Sequence, residues 1–144
     1  MPEAVTFSYQ EKIYTIYFAQ TKAVLPVKLK SGVSKLVTWG RRDKEISEMP
    51  LGGWARLTSV KNEKGNRWHA YFPQAVQLPI LKFMEKDFEG NVCWYEVTKG
   101  KCIQGLLARV ENEFRIYIVT IDPEDLNNCH YRWPHIITAL LQKV

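Results

Sequence analysis

The stretch FRIYIVTI, residues 114–121, decides the fold class, because nearly every side chain in it is β-branched or aromatic. Such a run is typical of a β-strand. Other stretches share this composition, and several alternate apolar and polar residues with the strand period of two. Pro26 makes one of them an edge or bulged strand, because proline cannot donate to a sheet ladder. The other predicted strands are KIYTIYF (12–18), LPVKL (25–29), KLVTW (35–39), RWHAYF (67–72) and NVCWYEV (91–97).

Predicted helices are few. Residues 74–88 could hold one interrupted helix, and Asp122 with Pro123 has the pattern of an N-cap followed by a first helical residue. Pro134 opens a predicted C-terminal helix, HIITALLQK. We therefore predict one α+β domain over residues 1–144, mostly β, with a curled or barrel-like antiparallel or mixed sheet and a few short helices.

Bulk features argue against several classes of protein. The longest apolar stretches are far too short to span a membrane, and the N-terminus lacks the pattern of a secretory signal. Cys93, Cys102 and Cys129 are odd in number and form no C-x-x-C pair, which disfavours a disulfide framework and a zinc site. No glycine-rich loop has the spacing of a phosphate cradle. We expect a cytoplasmic protein with no metal, no cofactor and no membrane partner.

Positive charge is concentrated in the first half of the chain. Residues 1–72 hold twelve Lys and Arg against six Asp and Glu, whereas residues 73–144 hold eight against nine. Cations interleaved with tryptophans can neutralise phosphates and stack bases, so this half is a candidate surface for single-stranded DNA. A solvated cationic face that only keeps the protein soluble is the alternative. The candidate DNA-binding residues here are Trp39, Arg41, Arg42, Trp54 and Arg56.

Two polar residues in apolar surroundings are candidates for chemistry. Strand alternation places Glu96 on the same face as Trp94; if that face points inward, burial raises the pKa of the carboxyl and makes it a candidate general acid or base. On the wet face of an edge strand it is an ordinary exposed glutamate. His130 and Arg132 share one side of CHYRWPHI, where they could move a proton and hold a phosphate. A histidine that caps the following helix is the alternative.

The order of these segments resembles the SOS-response-associated peptidase family, which handles abasic sites in single-stranded DNA. The likeness spans most of residues 13–140. The family carries an N-I-A-P-T-Q-x-x-P-V segment, a W-G motif, an N-A-R-A-E-T-like turn, an F-Y-E-W strand, an I-I-T-T-like strand and an H-x-R-M-P-V-I-L-like stretch. The counterparts here are FAQTKAVLPV (18–27), LVTWGRR (36–42), GWARLTS (53–59), CWYEV (93–97), IYIVTID (116–122) and HYRWPHII (130–137).

The resemblance implies roles at the matching positions. It makes Glu96 the catalytic glutamate and His130 the catalytic histidine. It matches Arg56 to the arginine of the N-A-R turn, which lies in a DNA-contacting region, and Arg132 to the arginine two places after the histidine.

The N-terminus departs from the family pattern. The family's nucleophile is a cysteine directly after the initiator methionine, which condenses as the N-terminal residue with the sugar aldehyde of an abasic site. Position 2 here is Pro2, whose secondary amine can form an iminium but has no thiol to close a thiazolidine ring. Trp54 also replaces the asparagine of the N-A-R turn. We therefore do not expect cysteine-dependent crosslinking.

Three functional hypotheses follow, and they leave open whether the chain is an enzyme. The leading one is a divergent, compact relative that binds single-stranded or abasic DNA through its basic half. The second is an enzyme that acts on abasic DNA through Pro2 or through acid–base chemistry by Glu96 and His130. The third is a protein-interaction module of a mobile element, whose partner contacts involve Trp39 and Trp68.

Overall fold

The computed structural model describes residues 1–62, 65–122 and 132–140, and this part of the chain is mostly β. Its helical segments are short, α1 (Leu57–Lys61) and a 3₁₀ helix at Arg67–Tyr71. Its strands are β1 (Ala4–Tyr9), β2 (Lys12–Tyr17), β3 (Val24–Lys28), β4 (Ser34–Thr38), β5 (Trp54–Arg56), β6 (Gln74–Leu78), β7 (Lys82–Lys86), β8 (Val92–Glu96), β9 (Lys101–Val110), β10 (Glu113–Ile121), β11 (Trp133–Pro134) and β12 (Ile136–Thr138).

The strands form two sheets. The smaller has four antiparallel strands in the order β2-β1-β7-β8. The larger has eight, with the path β11-β10-β9-β6-β3-β4, while β12 pairs with β9 and β5 pairs in parallel with β10. The described strands of this larger sheet do not close into the barrel that the sequence predicted as one form of the curled sheet, although Trp39, just after β4, forms an isolated bridge with Ile116 of β10. No helix of the described residues is long and apolar enough to cross a membrane.

Strand β10 is buried on both faces, which explains its continuous apolar sequence. Ile116 and Ile118 face the smaller sheet and join the main core. Tyr117 and Val119 point to the opposite face and join a second core with Trp68, beneath α1 and the 3₁₀ helix. Alternate residues of one strand therefore hold two separate layers onto the larger sheet.

The prediction of a mostly β chain with a few short helices is confirmed, and so are the predicted strands that correspond to β2, β3, β4, β8 and β10. Three assignments are wrong. Residues 67–72 are not a strand but largely a 3₁₀ helix, residues 74–88 hold β6 and β7 instead of a helix, and the described start of the predicted C-terminal helix forms β12. The helix predicted from Pro123 lies outside the described residues.

Candidate functional site

Two of the predicted DNA-binding arginines meet at the end of β10. Arg56 of β5 lies opposite Thr120 in the parallel pairing with β10. Arg132, just before β11, donates a hydrogen bond from Nε to Thr120 Oγ1 at 2.9 Å. Residues 76 positions apart in sequence therefore flank the same threonine, because β5 and β11 both pair with the last residues of β10.

Arg67, in the 3₁₀ helix, adds a third cation to this region, and we call Arg56, Arg67 and Arg132 the arginine cluster. The pKa of the Arg132 guanidinium is lowered from its ordinary value, first by partial burial and then by the positive charges of Arg56 and Arg67. Asp122 acts in the opposite direction. Within the described residues none of the three arginines forms an ion pair. The cluster is thus a concentration of like charge that an anion would relieve.

Arg41 and Arg42, which the sequence analysis also assigned to DNA, direct their guanidinium groups at the protein's own backbone. Arg41 donates to the carbonyls of Glu45 at 3.3 Å and Met49 at 3.1 Å. Arg42 donates from Nη2 to the carbonyl of Phe18 at 2.9 Å. Both side chains are half-buried. Their contacts stabilise the loop between β4 and β5, and their assignment to DNA stays a prediction without support from this geometry.

The predicted base-stacking tryptophans pack against other rings. Trp39 and Trp54 lie 5.4 Å apart between centroids, and each contacts Phe18, at 4.5 Å and 5.3 Å. Trp39 also donates from Nε1 to the carbonyl of Gly53, where a Cβ would overlap the indole ring. Trp68 is 1% exposed. These rings build the core, so neither open stacking platforms nor the predicted partner contacts through Trp39 and Trp68 are visible here.

The residues assigned to catalysis by resemblance are not seen together. Glu96 ends β8, an edge strand of the smaller sheet, and all five residues of that strand are exposed. Its neighbour in the register with β7 is Lys82. This placement matches the exposed alternative rather than a buried acid. His130 lies outside the described residues, so the proposed pairing of the two side chains stays a prediction.

A buried carboxyl group that the sequence analysis overlooked is Glu85 in β7, which is 6% exposed. The amino group of Met1 lies 3.4 Å from its Oε2, whereas Oε1 has no hydrogen-bond partner among the described residues. Burial raises the pKa of this carboxyl to about 7, the nearby amino group opposes the rise, and Glu3 adds to it. A carboxyl group with this pKa can both give and accept a proton near neutral pH.

Strand alternation could have revealed Glu85. In KFMEK it lies two residues after Phe83, whose side chain is fully buried in the main core, so both must face inward. The predicted helix over residues 74–88 concealed this pattern. Phe83 also connects the surroundings of Glu85 with those of the arginine cluster, because its ring lies 5.1 Å from the ring of Trp133, the residue after Arg132. Pro2, the predicted N-terminal nucleophile, is itself buried beside Met1.

No family model, curated protein or solved structure matches the sequence. Within the described residues no group of three or more His, Cys, Asp or Glu side chains could hold a metal ion. Among the described residues, the arginine cluster and Glu85 are the groups whose charge and surroundings best suit binding or chemistry.

Proposed function

We propose that this chain binds single-stranded DNA, including strands with abasic sites, and that the arginine cluster is its phosphate-binding surface. The observation that carries the proposal is the convergence of Arg56 and Arg132 on Thr120. These are the two arginines that the resemblance to the SOS-response-associated peptidase family assigns to a DNA-facing site. The bridge between Trp39 and Ile116 also fits the curled sheet expected of such a relative.

The physical reasons are charge and geometry. A guanidinium presents several donors in a planar fork that suits phosphate oxygens, and it stays ionised at neutral pH. Arg56 and Arg67 are exposed, and Arg132 is half-buried and oriented by its bond to Thr120. Bringing three such groups together costs repulsion that a phosphate backbone would remove. Binding would then release counterions from the phosphodiesters, and this release would supply most of the affinity.

The experiment is a fluorescence anisotropy titration of a labelled single strand at low and at higher salt. We expect the observed affinity to fall steeply with salt, as release of counterions requires. The variant Arg56→Ala/Arg132→Ala should bind about tenfold to a hundredfold more weakly at low salt, because two charge-assisted contacts are lost. The slope of the logarithm of the association constant against the logarithm of the salt concentration should be shallower by about 1.4, since each phosphate contact on a single strand contributes about 0.7 to it.

The matched control is Lys12→Ala/Lys86→Ala, which removes the same charge from exposed positions of the smaller sheet. It should keep nearly the wild-type affinity, apart from a small change in long-range attraction. Absence of measurable binding at low salt would refute the proposal. Equal losses in the two double variants would show that net charge, rather than the arginine cluster, drives binding.

A second candidate function is favoured by one observation, the amino group beside Glu85. We propose that this amine attacks the sugar aldehyde of an abasic site. Glu85 accepts a proton from the ammonium, and the freed amine nitrogen adds to the carbonyl carbon; a proton then moves from the nitrogen to the carbonyl oxygen and gives a carbinolamine. Glu85 returns its proton to the carbinolamine hydroxyl, which leaves as water and yields a protonated imine. With Met1 in place the attacking group is a primary amine; where Met1 is removed, Pro2 forms the corresponding iminium.

Reduction with borohydride tests this chemistry. Hydride adds to the imine carbon and converts the imine to a stable amine, so an abasic single strand should be retained on the protein in a denaturing gel. Glu85→Gln should lower the rate of trapping, and Glu96→Gln, which changes an exposed carboxylate, should not. Peptide mass mapping should place the adduct on the N-terminal residue. An adduct on a lysine, or none at all, would exclude this route.

A further inference from the structure

A cleft lies beside β6 in the larger sheet, next to the turn that follows β3. Strand β3 pairs with β4 over five residues and with β6 at Lys28 and Gln77. Lys28 ends β3, and the residues after it line a cavity of about 590 Å³ together with β6, Gln104 and the region of β12. Small-molecule sites in proteins commonly have volumes of about 300–1,000 Å³, so this cleft is large enough for a ligand.

The side-chain amides in the cleft are oriented by their neighbours. Gln77 and Gln104 are partners across β6 and β9. Gln77 accepts a weak hydrogen bond at Oε1 from the thiol of Cys102, at 3.8 Å. Gln104 Oε1 lies 2.6 Å from Nδ1 of His135. In the tautomer with its proton on Nδ1 the ring donates to this oxygen, because an amide oxygen accepts. Each carbonyl oxygen thus has a partner, and the two NH₂ groups have none in the part of the chain that the structure describes, so they can donate to a ligand.

His135 is suited to this supporting role. It lies between β11 and β12, half-buried, rather than in the first turn of a helix as the sequence predicted. Burial, with a smaller effect of Lys61, lowers the pKa of its imidazole, which keeps the ring neutral at pH 7. The backbone fixes its position, because its N–H donates to the carbonyl of Val119 and its own carbonyl accepts from the N–H of Gln104.

The entrance of the cleft is cationic. Lys28 and Lys30 both line it, and within the described residues neither forms an ion pair. Lys28 makes one long contact, 3.5 Å from Nζ to the carbonyl of Leu140. The described lining contains no carboxylate, and its walls include the aliphatic side chains of Leu29 and Ile137. Donors, cations and aliphatic walls together suit an anionic ligand that is rich in acceptors and has an apolar face.

We propose that this cleft binds a nucleoside monophosphate whose base presents carbonyl acceptors, such as thymine, uracil or guanine. The phosphate lies on Lys28 and Lys30, and the base edge accepts from the amides of Gln77 and Gln104 between the aliphatic walls. Cytosine is disfavoured because its exocyclic amino group would meet amide donors. A free nucleotide and a nucleotide unit of a DNA strand offer the same chemistry. The cleft shares no residue with the arginine cluster.

Amide chemical shifts of the labelled protein, followed in separate titrations with dTMP, dCMP, thymidine and inorganic phosphate, test the assignment. We expect saturable shifts from dTMP at residues 28–30, 74–77 and 137–140, with weaker binding of dCMP and of either half of the ligand alone. Lys28→Gln/Lys30→Gln should weaken dTMP binding by about tenfold or more, because it removes two charge-assisted contacts. If that variant does not fold, the exposed single change Lys30→Gln gives a smaller loss in the same direction.

The source of the ligand is resolved by adding oligothymidylate to Arg56→Ala/Arg132→Ala, in which DNA binding at the arginine cluster is removed. Shifts in the cleft from both the oligonucleotide and dTMP indicate a strand unit, whereas shifts from dTMP alone indicate a free nucleotide; either result supports the site. Shifts elsewhere or none, equal affinities for dTMP and dCMP, or a phosphate response as strong as that of dTMP would overturn it. Retained cleft binding in this variant also separates this proposal from the fate of the arginine cluster.

Discussion

Two pairs of arginines that the sequence assigned to DNA, one in the loop between β4 and β5 and one beside the end of β10, make opposite kinds of contact. In the loop, Arg41 and Arg42 donate to backbone carbonyls of the protein itself. At the end of β10, Arg56 is exposed and Arg132 is held by a single threonine hydroxyl. Residue type therefore does not separate an arginine that folds a loop from one that can meet a ligand. The difference depends on which acceptors the fold places within reach.

Two carboxylates on neighbouring strands repeat the contrast. Glu96 on β8 is exposed at a sheet edge, and Glu85 on β7 is buried beside an amino group. The resemblance selected the first, but the environment that shifts a pKa belongs to the second.

Glu85→Gln should make the protein less sensitive to rising pH. Between its ordinary pKa of 4.5 and about 7, the folded state keeps a proton on Glu85 that the unfolded state has lost. The folded state then binds more protons, so the free energy of unfolding of the wild type falls as pH rises through this window. The variant lacks this loss and should exceed the wild type above that window by up to about 3 kcal/mol.

Urea denaturation at about pH 4 and about pH 8 measures this effect, because the linkage predicts little difference below the window and the full difference above it. Glu96→Gln is the matched control at an exposed position. The difference between its free energy of unfolding and that of the wild type should be the same at both pH values. A pH profile of Glu85→Gln that runs parallel to the wild type would contradict the buried environment of the carboxyl.

Arg41→Ala should lower the free energy of unfolding by about 2 kcal/mol, because it leaves the carbonyl of buried Met49 without its charged donor. The affinity for single-stranded DNA of the folded variant should stay within about twofold of the wild type, since this guanidinium is turned inward. Chemical denaturation and anisotropy on the same preparation measure both quantities. A large loss of DNA affinity with unchanged stability would reverse the roles of the two arginine pairs.

Tyr117→Phe tests the same loop from the second core. The hydroxyl of Tyr117 donates to the carbonyl of Pro50 at 2.6 Å, and burial raises its pKa. Removing one buried hydrogen bond at nearly constant volume should lower the free energy of unfolding by about 1 kcal/mol. Thermal or urea unfolding measures the change. No loss of stability would mean that this bond does not hold the loop.

Arg56→Ala should have the smallest effect on folding, within about 0.5 kcal/mol of the wild type, because its side chain is exposed and makes no hydrogen bond among the described residues. The same substitution should weaken DNA binding measurably at low salt. Urea denaturation and anisotropy together therefore distinguish a binding arginine from a structural one. A loss of stability as large as that of Arg41→Ala would remove the distinction.

Local sequence patterns predict many of the strands, but not all of them and not how they pair. The run of β10 is recognisable as a strand because burial on both faces from Ile116 to Thr120 is accompanied by β-branched and aromatic side chains. In contrast, β9 (KCIQGLLARV) contains glycine, leucine and alanine, which do not favour strands, and it was missed. The aromatics of residues 67–72 predict a strand, yet the side chain of Asn66 accepts from the N–H of Trp68 and residues 67–71 form a 3₁₀ helix.

The candidate sites depended on contacts that no local pattern contains. Arg56 lies near Arg132 only because β5 pairs in parallel with the end of β10, and β11, much later in the sequence, pairs with the end of the same strand. The inward turn of Arg41 depends on the positions of loop carbonyls, which its neighbours in sequence do not indicate. Glu85 was predictable in principle from its spacing to Phe83, once KFMEK is read as a strand.

Backbone amide resonances of the wild-type protein, followed as a short oligothymidylate is added, show directly whether the arginine cluster binds DNA. If it does, the largest shifts at low salt lie around Arg56, Thr120 and Arg132, and the resonances of residues 41–45 stay near their values in the DNA-free protein. Shifts centred on residues 41–45, or a pattern unchanged in Arg56→Ala/Arg132→Ala, would contradict it.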